Sequence, residues 1–571
     1  MAKTKKSKNA YGMKLPKNTE SLCPECQKKI PARVFEKGGK VMIEKTCDKH
    51  GKFSEFYFGD AKTYNRFRKF NPDIQGPENR NLISRNGCPF DCGLCENHKS
   101  STLLANMVLT NRCDLRCWYC FYYAKEGENV YEPTLEQIED MLKTARKQRP
   151  VAPIAIQLTG GNPELRNDLL DIVRMCKKEG FIHIQLNTQG THRLWKDPNF
   201  MKKLSAAGVN TIYLSFDGTT KKTNTKNHWE VPYILKNAKS ANIAVVLVPT
   251  IIKGVNDHEI ANIINFALNN LDVVRGVNFQ PVSLVGRMPK TKREEQRITI
   301  PEVLDQLEDQ SRGTIKKTDF YPVPCTEPIS RFIGSMSGQP QYHFSSHFAC
   351  GAGTYIFLCG KRIVPITKFI DVEGFFKFLD KLSVSMEHGA NKELTTVKAF
   401  IGVKKFIDES KEPKKLNLYR LLYQVFMRHD YEALGKFHQR SLFIGTMHFM
   451  DLYNYDIERV QRCCIHYLMP DKRVVPFCTF NVIPSLYRDE VQKKFSIPSG
   501  FWEKKNKQKL RDDIYKRDIK RLENGKPYKD AYENIIDYFE TTKKFDGVGR
   551  DRSKTKKRSI TLPMSKRKIR F

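Results

Sequence analysis

No run of about eighteen consecutive apolar residues occurs anywhere in the chain, so nothing in it reads as a bilayer-spanning helix. The longest candidate, IAVVLVPTII (243–252), is too short and reads as a buried strand. The opening MAKTKKSKNA is positively charged but lacks the apolar core of a signal peptide. The expected location is therefore the cytoplasm, where structural disulfides are rare. No internal repeat is visible, and no RNA-binding module is recognisable. Acidic residues are few: 63 against 98 Lys and Arg, for a net charge of +35 over 571 residues. Six Lys and one Glu lie in residues 1–20, and twelve Lys and Arg with two Asp in residues 541–571. Both ends read as disordered basic tails. The body between them stays basic and suits a polyanion, either anionic headgroups or nucleic acid; charge alone does not choose.

Cysteine, by contrast, is plentiful: sixteen residues, mostly in groups. NRCDLRCWYC (111–120) packs three of them into one short loop. A disulfide does not fit the compartment, and a zinc site takes four N or S ligands, usually as two pairs. Three thiolates suit a 4Fe–4S cluster with one iron left open. The spacing C-x3-C-x2-C, Cys113, Cys117 and Cys120, with the aromatic Tyr119 before the last, resembles the loop of the radical S-adenosylmethionine (SAM) enzymes. That resemblance implies SAM chelating the open iron and being split into methionine and a 5′-deoxyadenosyl radical.

The flanks carry the same rhythm. NMVLTN, AIQLTGG, HIQLNTQG, TIYLSFDG, IAVVLVPTII and GVNFQPV are short strands alternating with amphipathic helices, the first of which, PTLEQIEDMLKTARKQ, has Thr134 and Gln137 at capping-box spacing. The expected fold is α/β, a partial (β/α)6 barrel that stops after Val282. Sites in such sheets gather at the C-terminal strand ends. The second strand ends in Thr159, Gly160, Gly161, Asn162 and Pro163; the family's usual form is GGEP, binding the SAM amino group, with Asn162 here in place of Glu. Asn187, Ser215 and Asp217 end the third and fourth strands, where a SAM ribose is expected, although such residues also cap turns. His183 reads as a packed core histidine and Cys176 as a buried apolar residue.

Three further cysteine groups follow. Cys23, Cys26, Cys47 and His50 form a metal knuckle, C-x2-C then C-x2-H, with KGGKV as a hairpin tip; it suits a structural zinc ribbon or a rubredoxin-like mononuclear iron. Cys88, Cys92 and Cys95 in GCPFDCGLC repeat the C-x3-C-x2-C spacing, but no barrel strand precedes them, so they read as an auxiliary cluster. Cys325, Cys350 and Cys359, then Cys463, Cys464 and Cys478, are scattered. Counting one of the adjacent Cys463 and Cys464 leaves eight auxiliary thiolates, the complement of two complete 4Fe–4S clusters. No catalytic side chain is assigned beyond the clusters.

The ordered series CPEC, GCPFDCGLCENHKS, NRCDLRCWYCFYYA, QLTGGNPELR and a late PFC resembles the archaeal tetraether lipid synthases, over roughly residues 20–500. The resemblance implies an enzyme with three 4Fe–4S clusters, SAM and a mononuclear Fe or Zn that joins the terminal carbons of two isoprenoid lipid tails. It also implies a low-potential electron donor such as ferredoxin, contact with anionic isoprenoid lipids at the inner face of the membrane, and no specific nucleic acid. LNLYRLLYQVFMRHDYEAL is either a core-facing stripe or a membrane-surface helix. Relatives of that family include dihydropterin methyltransferases, so a methyltransferase acting on 7,8-dihydro-6-hydroxymethylpterin is the alternative, followed by an RNA-modifying enzyme. A pterin needs a small polar pocket; a phytanyl chain needs a long apolar tunnel. The expected organisation is a tail (1–20), the knuckle (21–75), an auxiliary segment (76–100), the barrel (101–290), an auxiliary-cluster and substrate region (291–500), charged helices (501–540) and a second tail (541–571).

Overall fold

The computed structural model describes residues 15–547 apart from 73–75, 123–127, 415, 429–436, 438–439 and 534. Most of the two expected tails, 1–14 and 548–571, lies outside the described residues. Both tail boundaries move outward, toward the chain ends. The first strand already begins at Lys17, and a helix Tyr538–Gly547 closes the described chain. That helix is held because Tyr538 and Phe539 enter the main core and the Thr542 hydroxyl accepts from the Ile363 backbone N–H.

Four strands, Lys17–Leu22, Lys29–Lys37, Lys40–Cys47 and Gly51–Phe58, form an antiparallel sheet in sequential order. Gly38 and Gly39, at φ of 59° and 73°, make the two-residue turn between the middle strands, a conformation that suits glycine at both positions. The sheet stands on residues 452–458: Lys17 reaches Glu458 at 2.5 Å, the Thr19 and Tyr57 hydroxyls donate to Asp456, and the Lys45 ammonium donates to the Leu452 carbonyl.

Six strands, Leu104–Thr110, Ala155–Gly160, His183–Thr188, Val209–Ser215, Ala244–Val248 and Val274–Pro281, lie side by side in chain order, each parallel to its neighbours. Residues alternate faces along them. Ile156, Leu158, Ile184, Leu186, Ile212 and Leu214 point outward into one core with Ile138, Met141, Ile172 and Val173 of the covering helices. The helix Leu135–Arg146 starts at the expected capping box, with the Thr134 and Gln137 side chains and backbone N–H groups bonded reciprocally. Cys176 is fully buried on the helix Leu169–Lys178.

The sheet does not stop after Val282. Ser441–Met447 adds in parallel to the sixth strand, and Ile465–Leu468 adds in parallel to the first. Eight consecutive strands are thus parallel, in a sheet that continues antiparallel at both ends, into Gly351–Cys359 and Val474–Pro476. The expected boundary at residue 290 therefore cuts through one sheet. The helix Leu418–Arg428 turns Leu418 and Leu421 into a core with Phe357 and Phe369, which selects the core-facing reading of that stripe.

Candidate active site and metal centres

At the C-terminal ends of the barrel strands lies a cavity of about 620 Å³. Cys113, Cys117 and Cys120 line it from the loop after the first strand, all three half-buried. Burial pushes the Cys113 and Cys117 thiols up, with Asp114 adding for Cys113 while Lys226 opposes for Cys117. Three thiolates here need a cation. Among the described residues, only the ribbon ligands draw within 4.8 Å of one another. The trio is thus too open for a single ion and fits a multi-iron cluster.

The glycines of TGGNP are set by contact with this loop. A Cβ on Gly160 would stand 2.3 Å from the Thr110 carbonyl oxygen, and one on Gly161 2.0 Å from that of Arg112. Their backbone locks the two strand ends together: Gly161 N–H donates to Thr110 and Asn162 N–H to Arg112, each at 2.8 Å. Thr159, Gly160 and Gly161 line the cavity; Asn162 and Pro163 do not. The expectation that these two touch the cofactor is corrected accordingly. Asn162 is fully buried, donates to Asp114 at 2.9 Å and accepts from the Glu164 N–H at 3.3 Å. Glu164, two residues beyond the family's usual position, clamps the turn instead, accepting from Thr188, Arg193 N–H and Leu194 N–H. Asn162→Glu is therefore not neutral. It would bury a carboxylate against Asp114 and Glu164, and we expect SAM binding to weaken on the order of tenfold or more; unchanged affinity in a SAM titration would refute this account of the turn.

Asn187 and Ser215 line the cavity, as does Tyr119. Asp217 is absent from the lining and acts one step back. Its carboxylate accepts from the Tyr119 hydroxyl, from Lys226 Nζ at 2.8 Å and from Thr250 N–H at 2.9 Å. Lys226, which sequence reasoning missed, lines the cavity, donates to Ser215 Oγ at 2.8 Å and sits 4.7 Å above the Tyr119 ring. Burial alone would lower the Lys226 pKa, but Asp217 and Tyr119 hold it well above the usual lysine value. Nothing local marks this lysine among the many in the chain.

Part of the segment read as charged helices, with the residues just before it, roofs the cavity. Ser499, Leu510, Arg511, Asp513 and Ile514 line it. Asp513 grips the buried Arg112 guanidinium in two bonds of 2.8 and 3.0 Å, and Trp502 stacks 4.2 Å from the same guanidinium while donating to Glu132.

The remaining cysteines separate into three arrangements. In the ribbon, Cys26 and Cys47 sulfurs lie 3.9 Å apart, and His50 Nδ1 lies 3.5 Å from both Cys23 and Cys47. Metal–sulfur bonds of about 2.3 Å at tetrahedral angles put ligands about 3.8 Å apart, so these four residues fit a single ion. The Lys49 backbone N–H is the largest of several hydrogen bonds drawing the Cys47 thiol down to about 6, against the burial that would raise it. Cys26→Ser is expected to remove one equivalent of bound metal per chain, read by elemental analysis; unchanged content would rule the knuckle out as a site.

Cys88, Cys92 and Cys95 sit together, and each perturbs another's ionisation. Cys350 Sγ lies 3.3 Å from Nε of the buried Arg459, Cys478 also acts on that guanidinium, and Cys463 and Cys464 are near enough to Cys478 and Cys350 respectively for these to raise their thiols. Cys325 and Cys359 do not join them. Cys325 sits in a helical turn where burial alone pushes its thiol up to about 12, and Cys359 ends an edge hairpin beside Arg362. The count of eight auxiliary thiolates is thus redrawn as the trio of Cys88, Cys92 and Cys95 and the quartet around Arg459. Adjacent Cys463 and Cys464 both fall in that quartet.

An open parallel barrel with a thiol trio after its first strand and a glycine turn after its second defines a radical SAM enzyme. The model of the Radical SAM superfamily matches residues 107–267, and that of the HMPTM N-terminal zinc ribbon domain matches residues 15–59. The chain is 43% identical over 512 residues to the 7,8-dihydro-6-hydroxymethylpterin dimethyltransferase of Methanocaldococcus jannaschii, covering 87% of this chain and 99% of the relative. A GTP 3′,8-cyclase of Aquifex aeolicus is 30% identical over 38% of this chain and 65% of its own. The crystal structure of Streptococcus suis SuiB bound to precursor peptide SuiA overlaps 37% of this chain and 46% of its own at 16% identity and a TM-score of 0.31. The chain belongs to the radical SAM superfamily and, within it, to the family of the M. jannaschii enzyme. The resemblance to the tetraether lipid synthases is overturned by that near full-length relative, and the lipid-coupling reading falls with it. No described helix is long and apolar enough to cross a membrane.

Proposed function

We propose that this protein is a radical SAM methyltransferase acting on a reduced pterin, 7,8-dihydro-6-hydroxymethylpterin. The observation that carries the reading is the polar interior of the barrel. Asn106, Gln157, Thr159, Asn187, Tyr213, Ser215 and Gln280 all line the cavity. These groups, set in a wall that is otherwise apolar and aromatic, suit a compact heterocycle with polar edges, whereas a saturated isoprenoid tail would leave the unpartnered Asn106 Nδ2 without an acceptor. The identity to an enzyme named for this pterin supports the same reading.

SAM bound at a 4Fe–4S cluster on Cys113, Cys117 and Cys120 would supply a carbon radical able to abstract hydrogen. The chain's own residues do the positioning. The Thr159–Gly161 backbone and Gln189 border the trio, with Gln189 Nε2 at 3.3 Å from the Gly161 carbonyl. Lys226 and Tyr119, held by Asp217, fix a positive charge beside the loop. The roof from Ser499 to Ile514 covers part of the cavity, held by the Arg112–Asp513 ion pair. The Cys88 trio and the Arg459 quartet would hold two auxiliary clusters and the ribbon a mononuclear Fe or Zn, with a low-potential electron donor reducing the SAM cluster. The decisive experiment incubates anaerobic reconstituted enzyme with SAM, a low-potential reductant and the dihydropterin. Mass spectrometry should find the pterin carrying one or two additional methyl groups; 5′-deoxyadenosine formation with no methylated pterin would refute the reading.

A further inference from the structure

The barrel interior contains one chain of amides that ends in an unpartnered donor. Asn106, Gln157, Gln185 and Thr211 occupy one rung across four adjacent parallel strands, since Asn106 pairs with Gln157, Gln157 with Gln185 and Gln185 with Thr211 in the strand register. Same-face neighbours on a rung touch. Gln185 Nε2 donates to Gln157 Oε1, and Gln157 Nε2 donates to Asn106 Oδ1 at 2.7 Å. His183, two residues before Gln185 on the same strand, is half-buried on the same face and is not the packed core residue its sequence setting suggests. Each link fixes the orientation of the next amide, because a carbonyl oxygen already accepting leaves the NH2 end to turn outward.

The last amide has nowhere to donate within the protein. Asn106 is fully buried, its Nδ2 has no hydrogen-bond partner, and the residue lines the cavity. A buried donor without an acceptor is destabilising, so its persistence at the end of an oriented chain points to an acceptor that arrives from outside. The same cavity is walled by Phe121, Phe449 and Phe477, with Phe449 and Phe477 stacked at 4.1 Å and Phe121 at 5.9 Å from Phe477. An aromatic wall and an edge-on donor together suit a flat heterocycle that presents a lactam carbonyl.

We propose that Asn106, oriented by Gln157 and Gln185, is the substrate-recognition residue, and that its Nδ2 group donates to the 4-oxo edge of the pterin ring while the ring face lies along Phe449 and Phe477. The assignment rests on the pterin reading above and extends it to named atoms. It also assigns polarity: the site accepts a ligand whose edge takes hydrogen bonds and rejects one whose edge gives them.

The test is equilibrium binding to the cluster-loaded, SAM-bound enzyme under anaerobic conditions, with 7,8-dihydro-6-hydroxymethylpterin and a 2,4-diaminopteridine as probes. The second probe carries an amine donor where the first has the carbonyl. Wild-type enzyme should favour the oxo compound. Asn106→Asp, which replaces the donor by an acceptor, should weaken binding of the oxo compound on the order of a hundredfold and reverse the preference. Iron content and SAM affinity report whether the variant is folded. Should it not be, Gln157→Leu decides, because it releases the orientation of Asn106 while leaving that residue in place, and it should weaken oxo binding by about tenfold. A folded variant that binds both probes as wild type does overturns the role of Asn106 and leaves the pterin reading standing. Wild-type enzyme that binds neither probe overturns the pterin reading itself, and the assignment falls with it.

Discussion

Replacement of Cys113, Cys117 or Cys120 by alanine is expected to reduce 5′-deoxyadenosine formation to background, whereas replacement of Cys88, Cys92 or Cys95 should leave SAM cleavage measurable. Both sets share the same spacing, so the argument rests on position. The first set stands on the cavity wall beside Gly160 and Gly161, immediately after a barrel strand. The second set packs against Tyr487 and Thr479, with Cys92 N–H directed to the Tyr487 hydroxyl at 3.0 Å and Cys92 Sγ 3.8 Å from the Thr479 hydroxyl. A cluster that splits SAM must offer an open iron to a SAM-sized cavity, and the Cys88 trio is not on that wall. Chromatography of the nucleoside product checks the prediction. Cleavage that survives Cys117→Ala and disappears in Cys92→Ala would exchange the roles of the two sets.

Loss of Asp513 should be the most damaging single change outside the clusters. Arg112 is buried between Asp513 and Glu132, with 5% of its side chain exposed. Asp513→Ala removes the bidentate partner and leaves much of that charge uncompensated, a defect that costs about 3–5 kcal/mol for buried pairs. The same change unfastens the roof, since Trp502 lies on the Arg112 guanidinium and Tyr515 N–H donates to the Asp114 carbonyl. Denaturant unfolding should show the loss. The triple variant Arg112→Met, Asp513→Leu, Glu132→Gln should recover much of it, because it removes the stranded charge and neutralises the carboxylate that Arg112 also holds. A single variant within about 0.5 kcal/mol of wild type would mean the roof is held elsewhere.

Legibility in the sequence followed the range of the interaction. The six central strands, the capping box at Thr134 and the hairpin tip at Gly38 and Gly39 depend on neighbours a few residues apart, and each is read from local pattern. The cysteine knuckle is legible because ligand chemistry fixes its spacing. Even the polar interior was present as alternation: IQLTG, IQLNT and TIYLS place Gln157, Gln185, Asn187 and Tyr213 opposite the apolar positions. The two added parallel strands were not legible, because Ser441–Met447 and Ile465–Leu468 reach the sheet only after well over a hundred intervening residues. Nor was the roof. Residues 501–540 are rich in charge, and only the partner Arg112, some four hundred residues earlier, shows that Asp513 is buried and paired. Asp217 misled differently: its place at a strand end was right, but its carboxylate is taken up by Tyr119 and Lys226, which no pairing rule along the chain connects.

The footing of the zinc ribbon has a consequence for how the enzyme would fail in an oxidising or metal-poor cell. Asp456 takes the Tyr57 and Thr19 hydroxyls, and three residues on Arg459 reaches toward Cys350. Stripping the ion from the ribbon loosens strands whose side chains terminate on that carboxylate, and the disturbance arrives within one turn of the guanidinium that faces the auxiliary thiols. On the proposal that the ribbon holds a metal and the thiols near Arg459 a cluster, damage at one centre would therefore be seen at the other. The same footing makes the ribbon a poor candidate for removal or exchange by recombination, because the buried Asp456 carboxylate beneath it would lose the Thr19 and Tyr57 hydroxyls and keep, among the described residues, only the Glu458 N–H.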